Sequence, residues 1–375
     1  MSKKSLLALA MLGLLATTDR AEARDAPRTA YPIVFAHGMA GFDNIAGYDY
    51  WGDDYGQYVL DPCDAFLEVS CNGDINSGQR SYVSAVTPFE SSEVRGAQLA
   101  NNIESYMASA GVAYVNIVGH SQGGLDARKA ARVLRQRKGY RVVKNLVSIS
   151  SPHRGSPVAK YILDNYAGTI AETLANFYGN VVYGAGNNAI AAMKTLMYND
   201  ADPNDGVITG LAAFNAAYPG GSDDVMNARS LMTAQNGGDV NPLLWLVSNA
   251  IYNIDGEGYC AGDCDNDGAA GMGDGNRTNR DDDGLVGINS QHYGYRMQYS
   301  EDFWDLDHIY LRPDINGDGV ADYVGDLNNP APITMTSLAY VIEQDHVDVI
   351  GVGPDMFDEM EFYAAITEYI AQNGG

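Results

Sequence analysis

The apolar residues of the first 150 positions follow two periods that alternate along the chain. Continuous apolar runs at residues 31–36, 112–118 and 142–149 predict buried strands, as is typical of a parallel sheet covered on both faces. Elsewhere apolar residues recur every three or four positions, which predicts amphipathic helices. The first helix is expected to start with Ser92 as its cap, and the second to cover residues 125–138. This alternation predicts an α/β fold with a mostly parallel central sheet and helices on both faces.

A turn with the sequence Gly-His-Ser-Gln-Gly connects the second predicted strand to the second helix, at residues 119–123. In a Gly-x-Ser-x-Gly turn, the small residues relieve crowding around a serine with a strained backbone. The turn would expose the Ser121 hydroxyl and place the Gln122 N–H at the positive end of a helix, where it can stabilise an oxyanion. Chance occurrence in a glycine-rich chain is the alternative, and the flanking elements count against it.

Two other segments supply the groups that such a serine needs. The loop after the first strand contains two glycines, so its backbone can approach closely, and the Met39 N–H is the candidate second oxyanion donor. Downstream, Asp283 lies at a turn and His346 follows it, in the chain order of an α/β-hydrolase. Ser121 would attack a carbonyl carbon, His346 would transfer the proton and Asp283 would orient the imidazole.

Other histidines are alternatives for the base. His292 is close to Asp283 in sequence, and His308 lies in an Asp-rich segment; both are more simply interpreted as structural or exposed. His37, His120 and His153 are also interpreted as structural residues.

Several runs of residues share the pattern of one family. They lie at residues 32–47, 92–96, 115–124, 151–156, 214–219, 283–287 and 346–348. In these runs the chain resembles the secreted bacterial triacylglycerol lipases of the Pseudomonas and Burkholderia type. The resemblance implies an α/β-hydrolase fold, with Ser121 as nucleophile, Asp283 as acid, His346 as base, and Met39 and Gln122 as oxyanion donors.

The resemblance also implies a structural calcium ion. In the family, an aspartate two residues after the catalytic histidine is a metal ligand, and Asp348 takes that place. A solvated surface aspartate is the alternative reading of Asp348. The family's second calcium aspartate is not at its usual spacing, so Asp255, Asp263 and Asp265 compete for that role. Asn289 stands where the family has a cysteine, so the family disulfide cannot form at its usual place.

Two Asp-rich loops, at residues 263–274 and 314–322, have the start of a calcium-loop pattern. Oxygen side chains occupy the first, third and fifth positions, and glycine the sixth. The candidate ligands are Asp263, Asp265, Asp267, Asp274, Asp314, Asn316, Asp318 and Asp322. Neither loop has a glutamate at the twelfth position, so the pattern favours the short calcium loops of extracellular modules over an EF-hand. Acidic loops without metal are the alternative.

The amino terminus has the features of a signal peptide, assigned to residues 1–23. Lys3 and Lys4 precede an apolar stretch at residues 6–16, and small residues at 21–23 offer a cleavage site. The stretch is too short to span a bilayer and no later segment is long enough, so no transmembrane anchor is expected. We therefore expect a secreted, extracellular protein that passes through the periplasm.

Charge and cysteine content fit that location. The net charge of −25 would repel nucleic acid and anionic membranes, so contact with a lipid or oil–water interface would be hydrophobic or assisted by calcium. The four cysteines form two close pairs in sequence, Cys63 with Cys71 and Cys260 with Cys264. Three disulfide connectivities are possible, and pairing of near neighbours is preferred.

One catalytic domain is expected over residues 24–375. Residues 157–250 are assigned to a helical lid or cap, and residues 255–282 and 296–338 to Asp-rich insertions. By resemblance, the lid would open at an oil surface; a fixed cap is the alternative. The resemblance also implies a lipase-specific foldase as a partner during secretion.

The sequence therefore predicts a secreted triacylglycerol lipase that cleaves long-chain acylglycerol esters through an acyl-enzyme on Ser121, supported by structural calcium. A phospholipase or a polyester-degrading esterase would use the same residues. A protein of a different class, a non-catalytic calcium-binding module on a hydrolase scaffold, would explain the Asp-rich loops alone.

Overall fold

In the described part of the chain, seven strands form one sheet in the spatial order β4-β1-β5-β6-β7-β8-β9. The structure is a computed structural model, and it describes residues 25–41, 44–45, 48–51, 74–76, 78–156, 158–159, 187–198, 210–221, 223–236, 239–241, 244, 280–302, 305–331, 334, 337–351 and 357–375. The sheet strands are β1 (Ile33–Ala36), β4 (Ser81–Ser84), β5 (Val115–His120), β6 (Val143–Ile149), β7 (Val225–Leu231), β8 (Tyr295–Ser300) and β9 (His308–Arg312). A separate antiparallel pair consists of β2 (Asn44–Ile45) and β3 (Tyr48–Asp49).

The sheet is parallel from β4 to β8, and β9 pairs with β8 in the antiparallel direction. Its helices are α1 (Ser92–Ala110), α2 (Gln122–Lys138), α3 (Ala189–Thr195), α4 (Gly210–Ala217), α5 (Ile288–Gln291) and α6 (Glu359–Gln372), with a 3-10 turn at Asp348–Ile350. None of the described helices is long and apolar enough to cross a bilayer. The carboxyl ends of parallel strands share one edge of the sheet, and in α/β sheets this edge carries the functional site.

Each face of the sheet is covered by its own hydrophobic core. Ile33 and Phe35 of β1 belong to one core with Phe362 of α6. Val34 belongs to the other core with Leu99 of α1 and with residues of α2. Successive residues of a strand point to opposite faces, so a short, fully buried strand such as β1 serves both cores.

The cap of α1 differs from the prediction by one residue. Ser91 has an extended backbone, and its side chain accepts a hydrogen bond from the Val94 N–H at 3.4 Å, while Ser92 is already the first helical residue. A capping serine needs this non-helical backbone, which is why Ser91 takes the role. The second helix starts at Gln122, three residues before its predicted start at residue 125, because the turn after Ser121 leads directly into it.

Sheet strands also lie inside segments that the sequence assigned elsewhere. The range 157–250 predicted as lid or cap contains β7, and the predicted insertion at 296–338 contains most of β8 and all of β9. The ranges assigned to the lid and to the second insertion therefore include strands of the central sheet. Polar residues in these strands mask the apolar pattern, although Arg229 and Arg296 are both buried.

Two glycines allow the centre of the sheet to contact α2 closely. A Cβ on Gly119 would lie 2.8 Å from the backbone of Gly123, and a Cβ on Gly123 would lie 2.0 Å from the carbonyl oxygen of Ala36. Real Cβ atoms do not approach backbone atoms this closely, so neither position accepts a larger residue without movement of β1 or α2.

Apart from His346, four buried histidines are embedded in this framework: His37, His120, His153 and His292. Burial is the main cause that lowers their pKa values, to about 3 for His37 and His292 and well below the ordinary value for the other two. A neighbouring arginine adds to the lowering of the pKa for His37, His153 and His292. All four are therefore neutral in the folded protein.

Replacing Gly123 by alanine should destabilise the protein, because the new methyl group would collide with the Ala36 carbonyl. We expect the free energy of unfolding to fall by about 3 kcal/mol or more. Gly221→Ala is the matched control, since a Cβ there meets nothing within 4 Å. Urea unfolding of both variants checks this, and equal stabilities would contradict the described packing.

The buried histidines should make the protein acid-sensitive. Their pKa values are lower when folded than the unfolded value of about 6.5, so their stabilising contribution is present above that pH and is lost as pH falls below it. Each contributes about 1.4 kcal/mol per pH unit at most. The carboxyls of Asp126 and Glu361 oppose part of this, since burial raises their pKa values to about 6 and about 7. We expect the free energy of unfolding to fall by about 3 kcal/mol between pH 7.5 and 5.5, measured by urea unfolding. A protein equally stable at both pH values would refute the expectation.

Candidate active site

Ser121 occupies a sharp turn between β5 and α2. Its backbone has φ 54° and ψ −130°, a conformation that non-glycine residues rarely adopt. The Ser121 N–H donates to the Ile149 carbonyl at 2.9 Å, which ties the turn to β6. The hydroxyl is partly exposed at the carboxyl edge of the sheet. The surrounding glycines and this hydrogen bond keep the Ser121 backbone in its strained conformation.

The imidazole of His346 bridges Ser121 and Asp283. Its Nε2 lies 2.9 Å from the Ser121 Oγ, and its Nδ1 lies 2.8 Å from the Asp283 Oδ2. A carboxylate only accepts, so the Nδ1–H donates to Asp283, and in the neutral ring Nε2 accepts from the serine hydroxyl. The His346 N–H also donates to the Asp283 carbonyl at 2.9 Å. The structure thus brings together three residues that are far apart in sequence.

The Asp283 carboxylate is completely buried and accepts several hydrogen bonds. Its Oδ1 accepts the N–H groups of Leu285 at 3.1 Å and Val286 at 2.8 Å. Its Oδ2 accepts the Thr233 hydroxyl at 3.0 Å and the Gln291 amide at 3.2 Å, in addition to His346. These contacts stabilise the charged form and fix the plane of the carboxylate.

Thr233 and Gln291 are functional residues that the sequence analysis missed. The Gln291 amide bonds both the N–H and the C=O of Thr233, at 2.8 and 2.9 Å. Since the Thr233 hydroxyl donates to Asp283, the Ser150 hydroxyl at 2.6 Å must donate to Thr233. Nothing in the local sequence of either residue indicates its role.

The segments that carry the predicted oxyanion donors adjoin Ser121. A Cβ on Gly38 would lie 3.2 Å from Ser121 Oγ, so the loop carrying Met39 touches the nucleophile. Gln122 is the first residue of α2, where its N–H has no partner within the helix. Among the described residues, neither the Met39 nor the Gln122 N–H donates a backbone hydrogen bond. Both donors can therefore serve an oxygen bound at Ser121.

Arg95 of α1 anchors the loop after β1 that carries Met39, here called the oxyanion loop. One guanidinium nitrogen donates to the carbonyls of His37 at 2.7 Å and Gly38 at 3.0 Å, and Nε pairs with Asp126 at 2.7 Å. Both ends of this ion pair are buried. Gly41 is required here, because a Cβ would lie 2.3 Å from the His37 ring. The loop therefore has a fixed shape without substrate.

The rival histidines lie elsewhere. His292 is buried and its Nδ1 lies 3.3 Å from the Thr334 carbonyl, while His308 lies on β9 and pairs with Glu368 of α6 at 3.3 Å. The hydrogen bonds of these two histidines lead to residues other than Ser121 and Asp283.

The calcium predictions are only partly covered by the described residues. Asp348 is buried beside Asp345, whose N–H donates to its carboxylate at 2.8 Å. Asp255, Asp263, Asp265, Asp267 and Asp274 lie outside the described residues, as do the four cysteines and residues 160–186 of the predicted lid. Within the described ranges, no group of three or more His, Cys, Asp or Glu side chains is arranged to hold a metal.

The loop at residues 314–322 is closed by its own carboxylates. Asp314 accepts the N–H groups of Gly317 at 2.7 Å and Gly319 at 2.8 Å, and Asp322 accepts that of Ile315 at 2.8 Å. These backbone hydrogen bonds, with that of Gly319 the strongest, lower the pKa of Asp314. The Asn316 amide donates to Asp318 at 3.0 Å. The oxygens predicted as ligands therefore make hydrogen bonds within the loop.

The chain is similar to several known proteins. A family model described as palmitoyl protein thioesterase matches residues 32–200. The triacylglycerol lipase of Pseudarthrobacter phenanthrenivorans is 28% identical over 324 residues, which cover 79% of this chain and 93% of that protein. That of Burkholderia plantarii is 28% identical over 324 residues, 79% of this chain and 83% of that protein.

Among solved structures, the mature form of Bacillus licheniformis lipase BlEst2 is 16% identical and has a TM-score of 0.43, covering 88% of this chain and 90% of that chain. The mostly parallel sheet with helices confirms the expected α/β fold class, and the chain is similar in sequence to bacterial triacylglycerol lipases.

Proposed function

We propose that this protein is a secreted triacylglycerol lipase, a carboxylic ester hydrolase that forms an acyl-enzyme on Ser121. The observation that carries the proposal is the His346 imidazole, which lies within 2.9 Å of the Ser121 hydroxyl and 2.8 Å of the Asp283 carboxylate. Serine hydroxyls are weak nucleophiles unless an adjacent base accepts their proton, and this geometry supplies the base.

In the first half of the reaction, Ser121 Oγ attacks the ester carbonyl carbon while its proton moves to His346 Nε2. The negative charge that develops on the carbonyl oxygen is stabilised by the N–H groups of Met39 and Gln122. Collapse of the tetrahedral intermediate expels the alcohol, which takes the proton from His346. Asp283 remains ionised and stabilises the transient imidazolium.

In the second half, a water molecule loses its proton to His346 and attacks the acyl carbon. The second tetrahedral intermediate uses the same two N–H donors, and its collapse releases the fatty acid and returns the proton to Ser121. Because the hydrogen bonds to Asp283 are already formed, the protein does not reorganise when charge develops on the imidazole.

Acylglycerols are the substrates that the comparisons favour. Both quoted relatives carry the name triacylglycerol lipase. The net charge of −25 disfavours electrostatic attraction to anionic lipid surfaces and is compatible with an uncharged oil surface. Export by way of the amino-terminal segment, help from a foldase and a lid that opens at the interface remain part of this proposal, on the strength of the resemblance.

Calcium binding belongs to the same proposal. Asp345 and Asp348 are buried carboxylates within one turn: each accepts the other's backbone N–H, at 2.8 and 3.0 Å. Neighbouring buried negative charges disfavour one another, so a hard divalent cation with oxygen ligands fits this place. Asp348 would hold the ion, which would supply positive charge and fix the loop that carries His346.

Ser121→Ala should abolish ester hydrolysis, because no other group can form the acyl-enzyme. We expect fatty acid release from emulsified triolein, followed by titration at constant pH, to fall at least about 10⁴-fold. Ser105→Ala, which removes an exposed hydroxyl on α1, is the matched control and should match the parent protein.

The same assay separates the alternatives. Faster release from phosphatidylcholine vesicles or a polyester film than from triolein would assign a different ester class to the same site. An inactive parent protein, with and without calcium, would overturn the enzymatic proposal and favour a binding module.

Removing calcium should lower the melting temperature of the parent protein. Saturating an ion site contributes about 3 kcal/mol at a hundredfold excess over Kd, which corresponds to a shift of roughly 5 °C for a chain of this size. Asp348→Asn should lose this difference between calcium and EDTA, whereas Asp223→Asn, at an exposed position, should keep it. A parent protein with the same melting temperature in both buffers would rule out a stabilising calcium.

A further inference from the structure

A line of buried hydrogen bonds joins the oxyanion loop to the segment that carries His346. The Gly38 N–H donates to the Tyr50 hydroxyl oxygen at 2.9 Å, and that hydroxyl lies 2.5 Å from His120 Nδ1. His120 Nε2 lies 2.8 Å from the His346 carbonyl oxygen. Gly38, Tyr50, His120 and His346 are all buried.

Only one arrangement of protons satisfies this line. The His346 carbonyl can only accept, so His120 Nε2 carries the hydrogen and donates it. Burial, together with the nearby His346, lowers the pKa of His120 well below its ordinary range, so the ring is neutral and its Nδ1 is an acceptor. The Tyr50 hydroxyl therefore donates to His120 while accepting from Gly38. Each hydrogen bond of the line therefore has a fixed donor and a fixed acceptor. Reversing any one of them would leave two donors or two acceptors facing each other.

The line connects the oxyanion loop to the segment that carries His346, and catalysis requires a fixed distance between these two segments. Gly38 immediately precedes Met39, whose N–H is a proposed oxyanion donor, and a Cβ on Gly38 would lie 2.7 Å from Ser121 Cβ. His120 immediately precedes Ser121. The other end of the line holds the backbone of His346, whose ring centroid lies 4.9 Å from that of His120.

We propose that His120 and Tyr50 are positioning residues that fix the distance between the oxyanion donors and the imidazole of His346. The inference rests on the proposed function. His120 uses both ring nitrogens for this purpose and exchanges no proton with the substrate. Its ring packs against Tyr50 and Trp51 as well, with centroids at 5.8 and 6.4 Å, so it cannot rotate away without disturbing the core.

A displaced His346 or oxyanion loop would weaken stabilisation of the transition state more than substrate binding. Misplacement of reacting groups by about 1 Å can cost about 100-fold in rate. Loss of the line should therefore lower kcat and leave KM nearly unchanged, because the side chains of Tyr50 and His120 are buried. A purely structural role would lower the melting temperature without this division between kcat and KM.

Tyr50→Phe is the sharpest test, because it keeps the ring and removes the hydroxyl at the centre of the line. We expect kcat for a soluble short-chain ester to fall about 10- to 100-fold, with KM within twofold of the parent. Tyr106→Phe is the matched control, since it removes another tyrosine hydroxyl bond, to the Val83 carbonyl at 3.1 Å, away from the site. A kcat loss no larger than in Tyr106→Phe, or a loss explained entirely by KM, would overturn the proposal.

Two His120 variants test the two hydrogen bonds of its ring separately. Asparagine can replace the Nδ1 acceptor and glutamine the Nε2 donor, so His120→Gln should retain more of kcat than His120→Asn if the bond to the His346 carbonyl is the more important one. If His120→Asn instead retains more of kcat than His120→Gln, and both have a lower kcat than the parent, the proposal is still supported. The hydrogen bond between Tyr50 and His120 would then be the more important one. Equal activity of both variants and the parent would refute it.

A spectroscopic measurement tests the arrangement independently of activity. The ¹⁵N shifts of the His120 ring should show a neutral imidazole with the proton on Nε2 at pH 7.5, and the Nδ1 resonance should move in Tyr50→Phe. A proton on Nδ1 would overturn the inference even in an active enzyme. A parent protein without esterase activity would instead remove the proposed function and the catalytic role of the line, whatever the ring's tautomer.

Discussion

A fully buried carboxylate, that of Asp283, imposes the constraint on which the rest of the site depends. An ionised carboxylate removed from water costs several kcal/mol unless hydrogen-bond donors surround it. Here the donors come from separate parts of the chain: the turn after Asp283 itself, Thr233 beyond β7, Gln291 in α5 and the imidazole of His346. Satisfying this one charge therefore draws these four parts of the chain together at the carboxyl edge of the sheet, and the position of His346 next to Ser121 is a consequence.

Local signals in the sequence were sufficient for five elements in the first half of the fold. The strands β1, β5 and β6 are continuous apolar runs, and α1 and α2 have a helical period, so each could be predicted within a few residues. The strands β7, β8 and β9 could not, because their polar residues are buried through distant partners. Arg229 in β7, for example, donates to the Tyr369 hydroxyl of α6 at 2.9 Å. No local sequence pattern predicts this contact.

The candidate site shows the same division. A turn motif and the order of residues along the chain located Ser121, Asp283 and His346, because their roles require particular residue types in particular contexts. Thr233 and Tyr50 act only through what lies next to them in space. The carboxylates predicted as calcium ligands illustrate the converse: their spacing is visible in sequence, but whether they converge depends on loops whose paths are not encoded by spacing.

The clamp formed by Arg95 has a wider consequence for how this scaffold can vary. Because α1 fixes the carbonyl groups of the oxyanion loop from inside the protein, the geometry of this loop is tied to the hydrophobic core that α1 shares with the sheet. Packed interiors transmit strain, so a substitution that shifts α1 within that core would displace the oxyanion loop as well. The apolar face of α1 is therefore less free to vary than its distance along the chain from Ser121 suggests.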